Sequence, residues 1–593
     1  MVLQTLSYWM PKILGLQQMG IEIGDATEEW VQWVQGQAPQ RLSLALEVTT
    51  LLLLVITLII IWWHHPLYGK NAGPKVYPLV GNFLSFLRNS HQMLDYLTKE
   101  IHKSPTHTVR FVRPGLRGQV MYNTANVANV EYILKTRFEN YPKGDFQRDV
   151  LGDLLGKGIF NADGDLWKLQ RKLASHEFTS RSLREFGFEC AQRELEDRLV
   201  PFLFRACEKP DNVVDLQDLL LRFSFDSICL FGFGVDPNCL ELSLPTVQVA
   251  VAFDKALECI ARRYQTLIPV IMSVKKFFNI GDERELKEAM TVVNGFAEGV
   301  IRARRKELYG SQGKKLLARH DLLSRFMEFT ESSDHGEVLQ SELEQRCMDD
   351  LNLNASDPIA KEQASNVFLR DMVISFILAG RDTSSLGLTW FFHALSNNPH
   401  VEAKIYDEIK QRLQARQSSQ QNDHPPLPRH SFSLEELKQL QYLHAAIHES
   451  LRLFPPVPLD PKEAAGDDVL PDGSSLRKGD RIMYNIFAMA RMETIWGPDC
   501  NEFKPERWLK DGMFVSESLF KFATFQAGPR ICLGKELALV QMKLVASSLI
   551  YHFKFTAMQM NPPVTLHSLV LRMVDGFHVL VHSRIHDHSI EFQ

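Results

Sequence analysis

Paired cysteines are absent from this chain. Its eight cysteines stand at 190, 207, 229, 239, 259, 347, 500 and 532 with no C-x-x-C among them. That spacing excludes the usual zinc and disulfide frameworks and suits a reducing compartment for the main body. An excess of positive charge is also absent: the net charge is −5, so nothing draws the chain to nucleic acid as its main partner. There is no internal repeat and no glycine-rich flavin or dinucleotide fingerprint. No clear linker divides residues 80–593. What remains is a chain of 593 residues, 45% apolar and 23% charged, with the composition of a protein that has a substantial core.

Charge vanishes altogether in one stretch, VTTLLLLVITLIIIWW, from Val48 to Trp63. Its apolar character extends back to Leu42 past Ser43 and Glu47. A helix over 42–63 would span roughly 33 Å, about the thickness of bilayer hydrocarbon. Trp62 and Trp63 sit where an interfacial aromatic belt belongs, and Lys70 and Lys75 follow on one side only. The expectation is a single-pass anchor with the body on the cytosolic side. The acidic leader at 1–41, with Glu22, Asp25, Glu28 and Glu29, argues against a cleaved signal peptide. Prolines 66, 74 and 78 and glycines 69, 73 and 81 make 64–82 a stiff linker. Residues 83–593 read as one large domain, mainly α with small β-sheets. Helical patterns dominate from about Asp165 to Ile409, a polar, Pro-rich loop is expected over 411–432, and a helix over Ser433–Phe454 ends at PPVP.

Four short stretches carry chemistry. In FQAGPRICLG (Phe525–Gly534) one cysteine, Cys532, lies between glycines just before a helical pattern. Gly528 permits a turn with positive φ and Gly534 permits close backbone approach. Arg530 places a cation two residues before the sulfur, and a helix N-terminus favours thiolate. Such a thiolate meets the requirements of an axial haem ligand. In FILAGRDTSS, Asp382 and Thr383 follow the small pair Ala379-Gly380 inside an apolar helix; the plain alternative is bonding back to the helix carbonyls. ESLR sets Glu449 and Arg452 on one helix face, and FKPERW supplies Arg507. DGDLWKLQRK sets Trp167 and Arg171 on one face, which an amphipathic helix with a buried tryptophan would also explain.

Together these resemble the cytochrome P-450 superfamily. Phe525, Gly528, Arg530, Cys532 and Gly534 fill its FxxGxRxCxG signature, and the four motifs fall in the family's order from 167 to 534. The resemblance implies the P-450 fold and a single haem domain behind the anchor. It implies haem b with Cys532 as axial iron ligand, and Trp167, Arg171 and Arg530 at the haem propionates. Lys462 stands where many members carry another basic propionate partner. Asp382 and Thr383 would deliver protons to dioxygen, while Glu449, Arg452 and Arg507 form the family's structural triad. Where the family usually has phenylalanine after the second arginine, this chain has Trp508. Electrons would come from NADPH through a separate reductase, with the protein in the endoplasmic reticulum membrane.

Longer phrases, among them NYPKGDFQRDVLGDLLGKGIFNADGDLWKLQRKLASHEF and LDPKEAAGDDVLPDG, resemble the plant fatty-acid ω-hydroxylases. That implies oxidation at or near the terminal carbon of an acyl chain. Hydroxylation of jasmonoyl–amino acid conjugates, isomerisation of fatty-acid hydroperoxides, and haem binding without turnover are the alternatives. Expected pocket residues are Phe160, Phe376, Ile377, Ala379, Val457, Leu459, Leu569, Val570 and Leu571; apolar walls suit an acyl chain, though each position would serve a core equally well.

Overall fold

The computed structural model describes residues 47–57, 60, 73–77, 80–114, 120–209, 211–266, 269–309, 321–331, 358–419, 432–560, 564–565 and 569–584. Two compact units divide the chain, Met1–Lys70 and Asn71–Gln593. In the first, residues 47–57 are helical and expose Val48, Leu51, Leu52, Leu53, Leu54, Val55 and Ile56. No described helix is long and apolar enough to cross a membrane. The rest of the anchor expected over 42–63, like the leader and most of the linker, lies outside the described residues.

The second unit is mainly helical. The helices that frame the site are α1 (Gly144–Leu155), α2 (Gly164–Thr179), α3 (Leu216–Phe233), α4 (Gln248–Gln265), α5 (Pro269–Phe278), α6 (Asp282–Tyr309), α7 (Pro358–Asn397), α8 (Pro399–Ser419), α9 (Gln441–Leu453) and α10 (Lys535–His552). The strands that matter are β1 (Thr108–Val112), β2 (Val120–Thr124), β3 (Val213–Asp215), β4 (Leu459–Glu463), β5 (Arg481–Asn485), β6 (Phe553–Ala557) and β7 (His578–Ser583). One sheet runs β1-β2-β5-β4 and another β6-β7-β3. In the first, β2 and β5 are parallel and the other pairs antiparallel.

Local chemistry explains the boundaries. Asp215 caps α3, accepting from the Gln217 and Asp218 amides at 3.0 and 3.2 Å, and Gly234 ends it in the left-handed conformation, φ 62°. The helix expected over Ser433–Phe454 is two helices. Leu434–Gln439 starts on a capping box between Ser433 and Glu436, Leu440 turns out of helical geometry at ψ 83°, and α9 follows. The expected loop over 411–432 begins later, because α8 runs to Ser419.

With 40 residues, α7 is about 60 Å long and passes through two separate hydrophobic cores. One gathers Phe225, Phe253, Val293 and Phe326 around the first half of α7, whose last member in it is Ile377. The other gathers Leu443, Ile447, Leu544 and Leu549 around the second half, beginning at Leu388. Ala379–Thr383 therefore falls at the seam between them. Helix α5 leaves Phe277 and Phe278 uncovered, at 83% and 64% exposure.

Candidate active site

Partial exposure marks the seam. Along α7, Met372 through Ile377 are buried and Ser384 through Leu395 are buried, yet Leu378, Ala379, Gly380 and Thr383 are accessible. Ala379 and Thr383 are one turn apart on one face. A Cβ on Gly380 would lie 2.5 Å from Ile228 Cδ1, so a side chain there would require Ile228 to move. The Thr383 hydroxyl donates to Ala379 O at 2.6 Å, so the back-bonding weighed from the sequence does occur. That bond fixes the rotamer and leaves the oxygen's lone pairs free to accept. Asp382 is buried, 3.6 Å from Arg381, and its Oδ2 has no hydrogen-bond partner. Burial pushes its carboxyl above the ordinary range and Arg381 opposes this. Arg381 itself pairs with Asp254 of α4 at 2.8 Å.

The cysteine loop is built on two residues with positive φ, Gln526 (62°) and Gly528 (63°). Gly528 is obligatory, since a Cβ would lie 2.0 Å from Leu134 O. The loop closes where Cys532 N–H donates to Phe525 O at 2.8 Å. Helix α10 begins at Lys535, three residues past the cysteine. Burial pushes the Cys532 thiol up, while the Gly534 and Lys535 amides, Arg171 and Lys535 favour the thiolate. Six other cysteines are described; five are buried and Cys207 is half-buried, whereas the Cys532 side chain is accessible. A Cβ on Gly534, whose φ is −85°, would meet only Phe178, at 4.0 Å. The thiol is thus accessible on a loop whose backbone is tightly closed.

Cations collect at one edge of the loop. Arg530 donates to Asp163 Oδ1 at 2.8 Å and to Ala162 O at 2.9 Å, and its guanidinium lies 4.4 Å from the Trp167 ring centre. Arg171 interacts electrostatically with both Cys532 and Arg530. Lys462 is buried against Asp460 at 2.9 Å, and burial pulls its ammonium down. Asp460 is shared with Lys143 at 2.9 Å and with Tyr484, whose hydroxyl donates at 2.5 Å. Lys143, Arg148, Arg171, Lys462 and Arg530 are five cations set against three carboxylates, Asp145, Asp163 and Asp460, an excess of two positive charges. A dianionic edge of a flat group would complete this balance, so the residues present fit a haem. Asp163 and Asp460 were not singled out from sequence. The alternation Asp460–Lys462 along a strand, which sets both on one face, was the available signal for the second.

Glu449 is fully buried and saturated. It accepts from Arg452 Nε and Nη2 (2.7 and 2.9 Å), the Lys504 amide (3.0 Å), Arg507 Nε (3.3 Å) and Trp508 Nε1 (2.9 Å). Arg452 donates onward to the carbonyls of Ala490, Cys500 and Glu502. The tryptophan that departs from the family's usual phenylalanine therefore gives Glu449 a donor.

The expected pocket residues separate. Phe160 is 41% exposed, and Ala379, Val457, Leu459 and Leu569 are half-buried. Phe376 stacks on both Phe178 and Phe326, with ring centres 5.8 Å away in each case. Ile377, Val570 and Leu571 are buried. Leu571 lends its carbonyl to Trp390 Nε1 at 2.8 Å.

The family model for cytochrome P450 matches residues 72–580. Cytochrome P450 94B1 of Arabidopsis thaliana is 41% identical over 520 residues, covering 86% of this chain and 92% of its own. Cytochrome P450 94A1 of Vicia sativa is 39% identical over 519 residues, with 86% and 90% coverage. Cytochrome P450 86B1 of Arabidopsis thaliana is 39% identical over 518 residues, with 87% and 86% coverage. The chain belongs to the cytochrome P450 family. It is a monooxygenase with a haem-iron cofactor, using O2 and NADPH-derived electrons passed on by a reductase.

Proposed function

We propose that this protein hydroxylates the terminal or near-terminal carbon of a fatty acid, with Cys532 as the iron ligand. The observation that carries the reading is the accessible Ala379–Gly380–Thr383 face at the seam of two cores, in a fold whose accessible thiol is Cys532. Arg171, Arg530, Trp167 and Lys462 would hold the propionate edge of the haem. When bound, the haem supplies oxygen activation and attack on an unactivated C–H bond, and a thiolate ligand favours O–O cleavage. The chain's own residues manage protons and shape. Thr383, its hydrogen committed to Ala379 O, accepts from and positions a water. Asp382, its carboxyl raised by burial, takes a proton readily and has a free oxygen with which to pass it on. The accessible apolar side chains of Phe160, Ala379, Val457, Leu459 and Leu569 suit an acyl chain. The phrases shared with plant fatty-acid ω-hydroxylases support the same substrate.

The test is turnover in microsomes with reductase against fatty acids of graded length and a jasmonoyl–amino acid conjugate, with product position read by mass spectrometry. Oxidation of the conjugate alone would replace the fatty-acid reading. We also propose that residues 42–63 anchor the protein in the endoplasmic reticulum with the catalytic body in the cytosol. The uncharged run and the exposed apolar side chains of residues 47–57 support this. Protease protection of the body in sealed microsomes would overturn it.

A further inference from the structure

The segment Gly156–Ala162 runs between α1 and α2, and other elements fasten it. Asp371 of α7 accepts the Lys157 amide at 2.8 Å, and Gln170 of α2 donates to Lys157 O at 2.8 Å. Asn161 Nδ2 donates to Gly156 O at 2.9 Å and to Arg148 O at 3.3 Å. The approach to α7 leaves no room for side chains. A Cβ on Gly156, where φ is +50°, would lie 2.2 Å from Asp371 Oδ2; one on Gly158 would lie 2.4 Å from Ser375 Oγ and 2.9 Å from Asp371 O. Asp371 is itself buried, with Arg370 bonded to its Oδ1 at 2.7 and 3.0 Å.

So held, the segment buries Ile159, Asn161 and Ala162 at 7%, 3% and 4% exposure, yet leaves Phe160 at 41%. A constrained backbone keeps this ring out of the core. Asp371, Ser375 and Ala379 are successive i, i+4 positions, so the nearer of the two Gly158 contacts, at Ser375, lies about 6 Å of helix rise before Ala379. Phe160, two residues past Gly158, stays within about 7 Å of it along the chain. The exposed ring is thereby tethered within reach of the accessible Ala379–Gly380–Thr383 groove.

Building on the fatty-acid reading, we infer that Asp371 is a positioning residue for regiochemistry. By fastening Gly156–Ala162 it holds Phe160 at a fixed height beside the groove. There the ring admits the narrow end of an unbranched acyl chain and turns its interior methylenes away. Asp371 touches neither substrate nor reacting atoms and acts only through Phe160.

The experiment uses the full chain in microsomes with reductase and a saturated fatty acid, reading the ratio of terminal to in-chain product. The reduced carbon monoxide spectrum serves as the folding control. Phe160→Ala is expected to lower the ratio at least about fivefold, equivalent to ~1 kcal/mol between competing transition states. Asp371→Ala and Gly158→Ala, which release the segment in different ways, shift it in the same direction. Asp371→Asn keeps an oxygen acceptor and stays within about twofold of wild type, well under 1 kcal/mol. Amide hydrogen exchange at Lys157, read without substrate, accelerates in Asp371→Ala and not in Asp371→Asn. An unchanged ratio in Phe160→Ala, or in Asp371→Ala once Lys157 exchange has accelerated, overturns the inference. So does unchanged exchange in Asp371→Ala. If the wild type oxidises no fatty acid, the substrate reading falls separately, and the exchange measurement still decides whether Asp371 fastens the segment.

Discussion

The surroundings of Glu449 and of Asp382 solve opposite problems. Glu449 has both oxygens occupied by side-chain and backbone donors from α9 and from Lys504–Trp508. Asp382 is as deeply buried, yet its Oδ2 has no partner, nor do Nε and Nη1 of neighbouring Arg381. A saturated network fixes the geometry of α9 against Lys504–Trp508. An unsaturated one keeps hydrogen-bonding capacity in reserve, at a cost in stability, which is what the proposed proton delivery by Asp382 would use.

The largest blow to the rigid side is Cys532→Ala. It should abolish the long-wavelength Soret band of the reduced carbon monoxide complex and all hydroxylation; retention of that band would remove Cys532 from the iron. Glu449→Ala leaves Arg452 buried without its carboxylate and should cost about 3–5 kcal/mol, seen as lost haem-loaded protein and a lower unfolding temperature. On the reserve side, Thr383→Ala should keep haem content and substrate binding. Product should fall by about 10², near the lower bound for positioned proton transfer, with NADPH consumption falling less and peroxide making up the difference. Product at the wild-type ratio to NADPH would reduce Thr383 to a helix residue.

Asp382 adds a pH signature. Its carboxyl is held above the ordinary range, so the protonated form is lost as pH rises through that raised value, and product per NADPH should decline with it. Asp382→Asn should flatten the profile; an unaltered slope would assign the titration elsewhere. The smallest effect tests the tryptophan. Trp508→Phe removes one hydrogen bond to a charged acceptor, worth about 1.5–3 kcal/mol, and should lower the unfolding temperature while leaving product position unchanged.

The cysteine loop, the helix bearing Ala379–Thr383 and the Glu449–Arg452 pair were legible because each is a short run whose residue types act on near neighbours. The Asp371 anchor was not, because it joins Lys157 to a residue 214 positions away, and no local pattern reports such a contact. Arg530 read as a cation for an external carboxylate. Its pairing with Asp163 shows that the chain neutralises part of that charge itself. The break at Leu440 was hidden because the apolar period runs through it, with Leu437, Leu440 and Leu443 all buried.

The outer face of α5 bears on colloidal behaviour. Phe277 and Phe278 pack edge to face, ring centres 5.0 Å apart, with Ile271 and Val274 also open to solvent. Apolar area gathered on one short helix makes water a poor solvent for that face. Trimming the apolar run near the N-terminus would therefore leave exposed apolar area on the body, at α5.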